Sequence, residues 1–327
     1  MISALVYDDG GVTSYDEEHL TEARDADGTT WVRATSESDF ASVADAFGIH
    51  PLTVEDVRND ARPKTEMYDE YTFVIVRRAS LRVGEQVFEE EVLTRPVGLC
   101  FGDDWLVTLT RRTLTPVDRV WDAVESEESR ILRFGPDFVA YRIIDRIVDD
   151  YFDLLDEVGE EIETIEDFIL EGPDPTVLEG LNAIRRDVLS FRKTVWPTRE
   201  AAGVLARGDP EYVREVTEKY YRDVYDHLVE LVDLTETYRD LARGARDIYL
   251  NTLSQSTNEV MKTLTVVATI ILPLTLVVGI FGMNFDPAVS AFNMPELLWK
   301  YGYVATMLGM AAVSGILLVY FRHQRWL

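Results

Sequence analysis

Two uncharged stretches near the C-terminal end constrain this chain more than anything else in it. Thr263 to Phe281 reads TLTVVATIILPLTLVVGIF, nineteen residues without a charge, and Tyr301 to Phe321 reads YGYVATMLGMAAVSGILLVYF, twenty-one more. A hydrocarbon core about 30 Å thick takes roughly 20 apolar residues of helix. Each stretch is long enough to span and is bounded by charge, at Lys262, Lys300 and Arg322. Two such stretches so close together are rare as buried helices of a soluble fold, so a transmembrane hairpin is expected. Between them lies GMNFDPAVSAFNMPELLWK, which opens on Gly282-Met283-Asn284.

A hairpin puts both of its ends on one side of the membrane. Lys262 precedes the first span and Arg322, His323 and Arg325 follow the second, whereas the loop sets Lys300 against Asp286 and Glu296. Positive residues favour the cytoplasmic side, so both ends are expected inside and the loop 282–300 outside. Trp299, Tyr301 and Tyr303 then fall at the outer interface, and Tyr320 and Trp326 at the inner one.

The rest of the chain is strongly acidic. Of 59 acids in the protein only Asp286 and Glu296 lie beyond residue 261, and of 32 bases only Lys262, Lys300, Arg322 and Arg325 do, so residues 1–261 carry 57 acids against 28 bases, net −29. Such a surface repels nucleic acid and anionic lipid and attracts cations. Two explanations stand side by side: a cation-binding soluble domain, and adaptation to a salt-rich cytoplasm, which the five lysines and the even spread of acids favour. MISALVYDDGG at the start has no basic segment and no long apolar run, so no cleaved signal peptide is expected. The single Cys100, in the apolar run VGLCFGDDWLVTLT, reads as a buried small hydrophobe. His19, His50, His227 and His323 have no metal-ligand spacing, and no phosphate loop or nucleophile elbow occurs, so an enzyme is not expected.

Taken in order, residues 1–130 read as a soluble α/β domain. Strands are expected at Ile2–Tyr7, Thr30–Ala34, Tyr71–Arg78, Glu91–Leu99 and Trp105–Thr110, rich in β-branched and aromatic residues. Helices are expected over Ser36–Phe47, capped by Ser38, and Pro51–Asp60, capped by Thr53. Residues 131–260 read as all helix. Ile143, Ile147, Phe152, Leu155, Val158, Ile162, Ile165, Phe168 and Ile169 recur at helical spacing in Phe138–Glu171, with a solvated acidic face that includes Asp153 and Glu157. A second helix runs over Thr176–Leu205. From Glu211 no proline occurs until Pro273, so one helix, on the order of 100 Å long, is expected to leave the soluble part as a stalk and become the first span of the hairpin 261–327.

One hairpin cannot enclose an ion path, so a channel requires several copies. Stepping back from the loop along the first span gives Gly279, Thr275, Leu272, Ala268, Leu264 or Thr265, Met261 and Asn258, one helical stripe. Hydroxyl and amide oxygens can hold a hydrated ion, and rings of Leu or Met can close a pore by dewetting. Ordinary packing of small residues between spans explains the same stripe equally well.

The Gly282-Met283-Asn284 turn between two C-terminal spans, Met294-Pro295-Glu296-Leu297 and the basic tail ending Trp326-Leu327 closely resemble the CorA family of divalent-cation channels. HPLTVEDV at His50–Val57, RPKTEMYDEYTFVIV at Arg62–Val76, RKTVWPTRE at Arg192–Glu200, YYRDVYDH at Tyr220–His227 and TNEVMK at Thr257–Lys262 extend the resemblance over nearly the whole chain. Phe281 departs from the tyrosine usual in the family, and the outer loop is longer. The resemblance implies a homo-oligomer, pentameric, with Gly282, Met283 and Asn284 as the selectivity filter for Mg²⁺, and possible passage of Co²⁺ or Ni²⁺. Asp286 and Glu296 would concentrate cations outside. It also implies gating by cytosolic Mg²⁺ at acidic sites, matched here by Asp247 and by Asp145 with Asp223; the usual partner of Asp247 has no counterpart in ASLRVG except Glu85 just beyond. A zinc transporter of the same superfamily and a two-span membrane sensor are the alternatives.

Overall fold

The computed structural model describes residues 1–8, 10–82, 91–126, 129–172, 174–283, 285–286, 289–290, 292–294 and 299–326. They form two compact units, Met1–Asp247 and Ile248–Leu327.

The first unit is built on a seven-stranded sheet of β1 (Ile2–Asp8), β2 (Gly11–Tyr15), β3 (Thr29–Ala34), β4 (Lys64–Met67), β5 (Thr72–Arg82), β6 (Glu91–Phe101) and β7 (Trp105–Leu109), ordered β2-β1-β3-β7-β6-β5-β4. Every pairing is antiparallel except β3 with β7, which join in parallel with Thr30 opposite Trp105. Alternation along β3 shows why the sheet is covered on both faces. Val32 and Ala34 enter a core with Phe40, Phe47 and Val57, from α1 (Leu20–Arg24), α2 (Phe40–Phe47) and α3 (Pro51–Arg58). Trp31 points the other way, edge-on to Trp121 of α4 (Thr115–Glu125) at 4.9 Å, and its indole N–H donates to Thr108 Oγ1 at 2.9 Å. A short α5 (Ser129–Leu132) follows, then α6 (Pro136–Glu171) and α7 (Pro175–Ala206), both packed against β5 and β6. Cys100 is fully buried, and burial pushes its thiol well above the ordinary range.

Both expected caps are corrected. The first helix begins only at Phe40, behind Asp39, because Ser36 and Ser38 hydrogen-bond one another instead. In α3 the cap is His50, whose Nδ1 accepts from Leu52 N–H at 3.2 Å; Pro51 occupies the first helical position, where a missing N–H costs nothing. Thr53 lies inside the helix, with its hydroxyl 3.0 Å from that of Tyr71.

The long helix α8 runs over Glu215–Phe281. It starts four residues later than its composition predicts. Pro210 holds Val213 in a turn, and the buried Asp137 carboxylate accepts from Arg214 N–H at 3.0 Å. On α6, Ile143, Ile147, Leu155, Val158, Ile162, Ile165 and Ile169 are buried, while Asp153, Asp156, Glu157, Glu160 and Glu163 are exposed. Phe168 departs from the pattern and is exposed.

The second unit holds the C-terminal part of α8 and α9 (Gly302–His323). Only 6% of the apolar window of each helix is buried within the chain. Exposed apolar surface on that scale is not kept in water; these two helices are the transmembrane pair.

Candidate functional site

The connection between the two apolar helices opens where α8 unwinds. Gly282 N–H still donates to Val278 O at 2.9 Å, and Met283 N–H to Ile280 O at 3.1 Å, so the ladder tightens from four-residue to three-residue spacing as it ends. A Cβ at Gly282 would lie 3.1 Å from Val278 O, a tight approach that explains the glycine. Met283, Phe285 and Phe292 are exposed apolar side chains in this connection. Asp286 O accepts from the Asn293 amide at 2.8 Å, which ties the start of the loop to its middle. Asn284 and Glu296 lie outside the described residues. Lys300 sits over the Tyr301 ring at 5.7 Å, and Trp299, Tyr301 and Tyr303 are all exposed, as an interfacial belt requires.

At about 100° per residue, the stripe positions Asn258, Met261, Thr265, Ala268, Leu272, Thr275 and Gly279 fall within roughly 60° of the direction of Leu272. Leu264 stands at the edge, about 80° away, so Thr265 fits the stripe better. Of these positions Ala268 alone is partly covered. Val266 is buried and Ile270, Leu274, Val277 and Phe281 are half-buried; by the same rotation they lie about 120–200° from Leu272. Val277 and Phe281 share a cavity with Tyr303, Thr306 and Met310 of α9. From Ala268 to Gly279 the stripe therefore faces away from the second helix of its own hairpin, while Asn258, Met261 and Thr265 share a cavity with Trp326 just beyond α9.

Its hydroxyls are oriented by the helix itself. Thr265 Oγ1 donates to Met261 O at 2.7 Å and Thr275 Oγ1 to Ile271 O at 3.0 Å. With their protons engaged, these oxygens present lone pairs outward, the polarity that a cation or the hydrogens of its water shell need. Pro273, inside α8, has no N–H to offer the Thr269 carbonyl, which leaves one more acceptor in the apolar segment.

The acids in the first unit divide differently. Asp145 on α6 and Asp223 on α8 both act electrostatically on Tyr141, so the fold brings them to one place. Asp145 is mostly buried and paired with Arg142 at 2.8 Å. Burial, and next the Asp149 carboxylate, hold its carboxyl above the usual value despite Arg142 and Arg146. His227, edge-on to Phe152 at 5.8 Å, also acts electrostatically on Asp145; its scattered position in the sequence gave no sign of this. Asp247 is exposed and lies 24 residues beyond Asp223 on the same helix, about 36 Å along it, so the fold does not bring it to the first pair. Among the described residues no three His, Cys, Asp or Glu side chains converge as a complete metal site.

A family model described as "CorA-like Mg2+ transporter protein" matches residues 26–323. The chain is 35% identical over 316 residues to the cobalt/magnesium transport protein CorA of Thermotoga maritima, covering 95% of this chain and 87% of that protein. It is 32% identical over 291 residues to the putative metal ion transporter YfjQ of Bacillus subtilis, covering 89% and 86%. Its fold is similar to the complete structure of the CorA magnesium transporter of Methanocaldococcus jannaschii, with a TM-score of 0.81 over 100% of this chain and 99% of the other at 21% identity. It is also similar to the cytoplasmic domain of ZntB from Vibrio parahaemolyticus, with a TM-score of 0.59 over 77% of this chain and 98% of the other at 12% identity.

Proposed function

Because this chain belongs to the CorA-like Mg²⁺ transporter family, a family of divalent-cation transporters of the membrane, we propose that several copies assemble a Mg²⁺ channel with α8 on the axis. On this reading residues 1–130 and 131–260 lie in the cytoplasm with both chain ends, residues 261–327 form the membrane hairpin, and 282–300 is the outer loop. The family match carries the proposal. The stripe Asn258, Met261, Thr265, Ala268, Leu272, Thr275 and Gly279 supports the choice of α8, since from Ala268 onward it is turned from α9 and it mixes oxygen acceptors with apolar closures. Leu264 stands at its edge.

Gly282, Met283 and Asn284 form the filter. Mg²⁺ gives up water reluctantly, and a ring of neutral Asn284 carbonyls would bind its water shell without trapping the ion as carboxylates might. Asp286 and Glu296 add a negative field outside. Five copies, and regulation by Mg²⁺ at Asp247 or at Asp145 with Asp223, are parts of the same reading. A ligand at Asp145 competes with Arg142, so the metal there displaces an existing ion pair. Co²⁺ and Ni²⁺ are expected to pass as well. Zinc transport is the alternative, and the likeness to the ZntB cytoplasmic domain supports only a shared fold.

The test is ion flux into liposomes holding the purified protein, with Mg²⁺, Co²⁺, Ni²⁺ and Zn²⁺ in turn. Asn284→Ala should nearly abolish Mg²⁺ uptake while leaving assembly intact. Undiminished uptake in that variant removes the filter assignment, and Zn²⁺ flux without Mg²⁺ flux selects the alternative.

A further inference from the structure

In a chain with 59 acids and 32 bases, a cavity lined by four arginines and no acid calls for an explanation. It is a groove of about 230 Å³ between α7 and α8, within the first unit. Arg185 of α7 faces Arg239, Arg243 and Arg246 of α8 across it, with Asn182 and Leu181 completing one wall. The α8 arginines stand at four- and three-residue spacing, on one ridge. Like charges so placed destabilise a helix, and a second row of positive charge opposite adds to the cost.

The chain offsets little of this. Asp240 accepts from Arg239 at 3.1 Å and from Arg243 at 3.2 Å, but it is itself largely exposed and does not line the groove. Among the described residues Arg185 and Arg246 have no carboxylate within ion-pair distance. Four guanidiniums against Asp240, with Asp247 next along the helix from Arg246, leave a net positive charge. Farther along the same seam the two helices do pair charges, Arg192 of α7 with Glu236 of α8 at 3.4 Å. The seam thus changes from complementary to purely cationic within about two turns.

We propose that this groove binds a small phosphate-bearing anion of the diphosphate type, held between α7 and α8 by Arg185, Arg239, Arg243 and Arg246. Guanidinium groups form paired, charge-assisted hydrogen bonds with phosphate oxygens, and several converging arginines suit a multiply charged anion better than chloride. The cavity is large enough for such a group, and Asn182 adds a neutral donor. A lipid headgroup is the wrong source: Arg246 lies 16 residues before Lys262 in the sequence, well ahead of the apolar segment. The proposal rests on the arginine seam and not on the filter reading. Mg²⁺ complexation lowers the charge that the arginines read, so the free anion fits better.

The experiment uses the full chain in detergent with metals chelated by EDTA. Inorganic pyrophosphate is titrated by calorimetry against the wild type, the double variant Arg185→Gln/Arg246→Gln, and Arg192→Gln, which lies outside the groove. Binding to the wild type is expected, with a dissociation constant about tenfold weaker for each arginine removed, hence about a hundredfold for the double variant, and unchanged in Arg192→Gln. Because both substituted side chains are exposed and unpaired, the variants should fold, which far-ultraviolet circular dichroism checks. No binding to the wild type, equal binding to the double variant, or an equal response to potassium chloride at matched ionic strength overturns the proposal. None of these outcomes depends on transport.

Discussion

Replacing Leu272 by asparagine tests which face of α8 meets the ion path. Leu272 is 66% exposed within the chain, so the substitution opens no internal cavity. What surrounds that side chain in the assembly decides its effect. On a water path the amide is hydrated, the dewetting barrier falls, and each 1.4 kcal/mol or so removed raises the flux about tenfold. Against lipid, where nothing can hydrogen-bond, an unpartnered amide costs roughly 4–8 kcal/mol and the loss falls on stability. Val277 is the control, about 140° around the helix and half-covered on the α9 side. Val277→Asn places its amide in the seam and should lower thermal stability, while flux per folded channel stays unchanged. The assay is resting Mg²⁺ flux into liposomes, normalised to folded protein and paired with a thermal melt in detergent. Equal flux changes at both positions, or a stability loss at Leu272 matching that at Val277, refutes the assignment of the axial face.

Three other outcomes are expected. At 1 M salt the Debye length is about 3 Å, so only close carboxylate contact can sense Mg²⁺ in a salt-rich cytoplasm: Asp247→Ala should weaken Mg²⁺-dependent protection against limited proteolysis in multi-molar KCl, and an equal shift from neutralising Asp153 and Glu157 would mean a diffuse charge effect. Asp145, whose carboxyl is raised by burial, binds its proton more tightly when folded; stability therefore falls as pH rises through the interval above the usual aspartate value, and Asp145→Asn should melt higher than wild type at neutral pH, with the gain fading below about pH 4. Cys100, buried with its thiol raised, should resist alkylation at pH 8 until denaturant is added, and rapid labelling of the native protein would contradict its place in the core.

The features that were legible in the sequence were those with a strong local period. The apolar strands β1, β3, β5, β6 and β7 and the helices α6, α7 and α8 all lie within a few residues of where spacing puts them. The missed strands, β2 (GVTSY) and β4 (KTEM), are the two edges of the sheet, polar and without a fully buried residue, so no alternation marks them. Helix α4 was missed although Val117, Val120, Trp121 and Val124 recur at helical spacing in TPVDRVWDAVE, a signal the sequence carries by itself. Ser38 and Thr53 look like caps by residue type, but capping depends on which carbonyls and N–H groups the neighbouring turn leaves free. The stripe on α8 was readable because it is one helix. The arginine groove was not, because Arg185 and Arg239 meet only when two helices pack.

The one parallel pairing in the sheet also sets an order of events during synthesis. Strands β1, β2 and β3 are contiguous and can pair at once, but β3 waits for β7, from Ala34 to Leu109 some 75 residues later. At roughly 5–20 residues per second that is about 4–15 s during which the edge bearing Trp31 and Val32 has no partner strand, a site where two nascent chains can pair wrongly. Another 150 or so residues separate Leu109 from Thr263. The sheet therefore has time to close before the first apolar helix leaves the ribosome, whereas the unit that contains it is complete only at Asp247, just ahead of that helix.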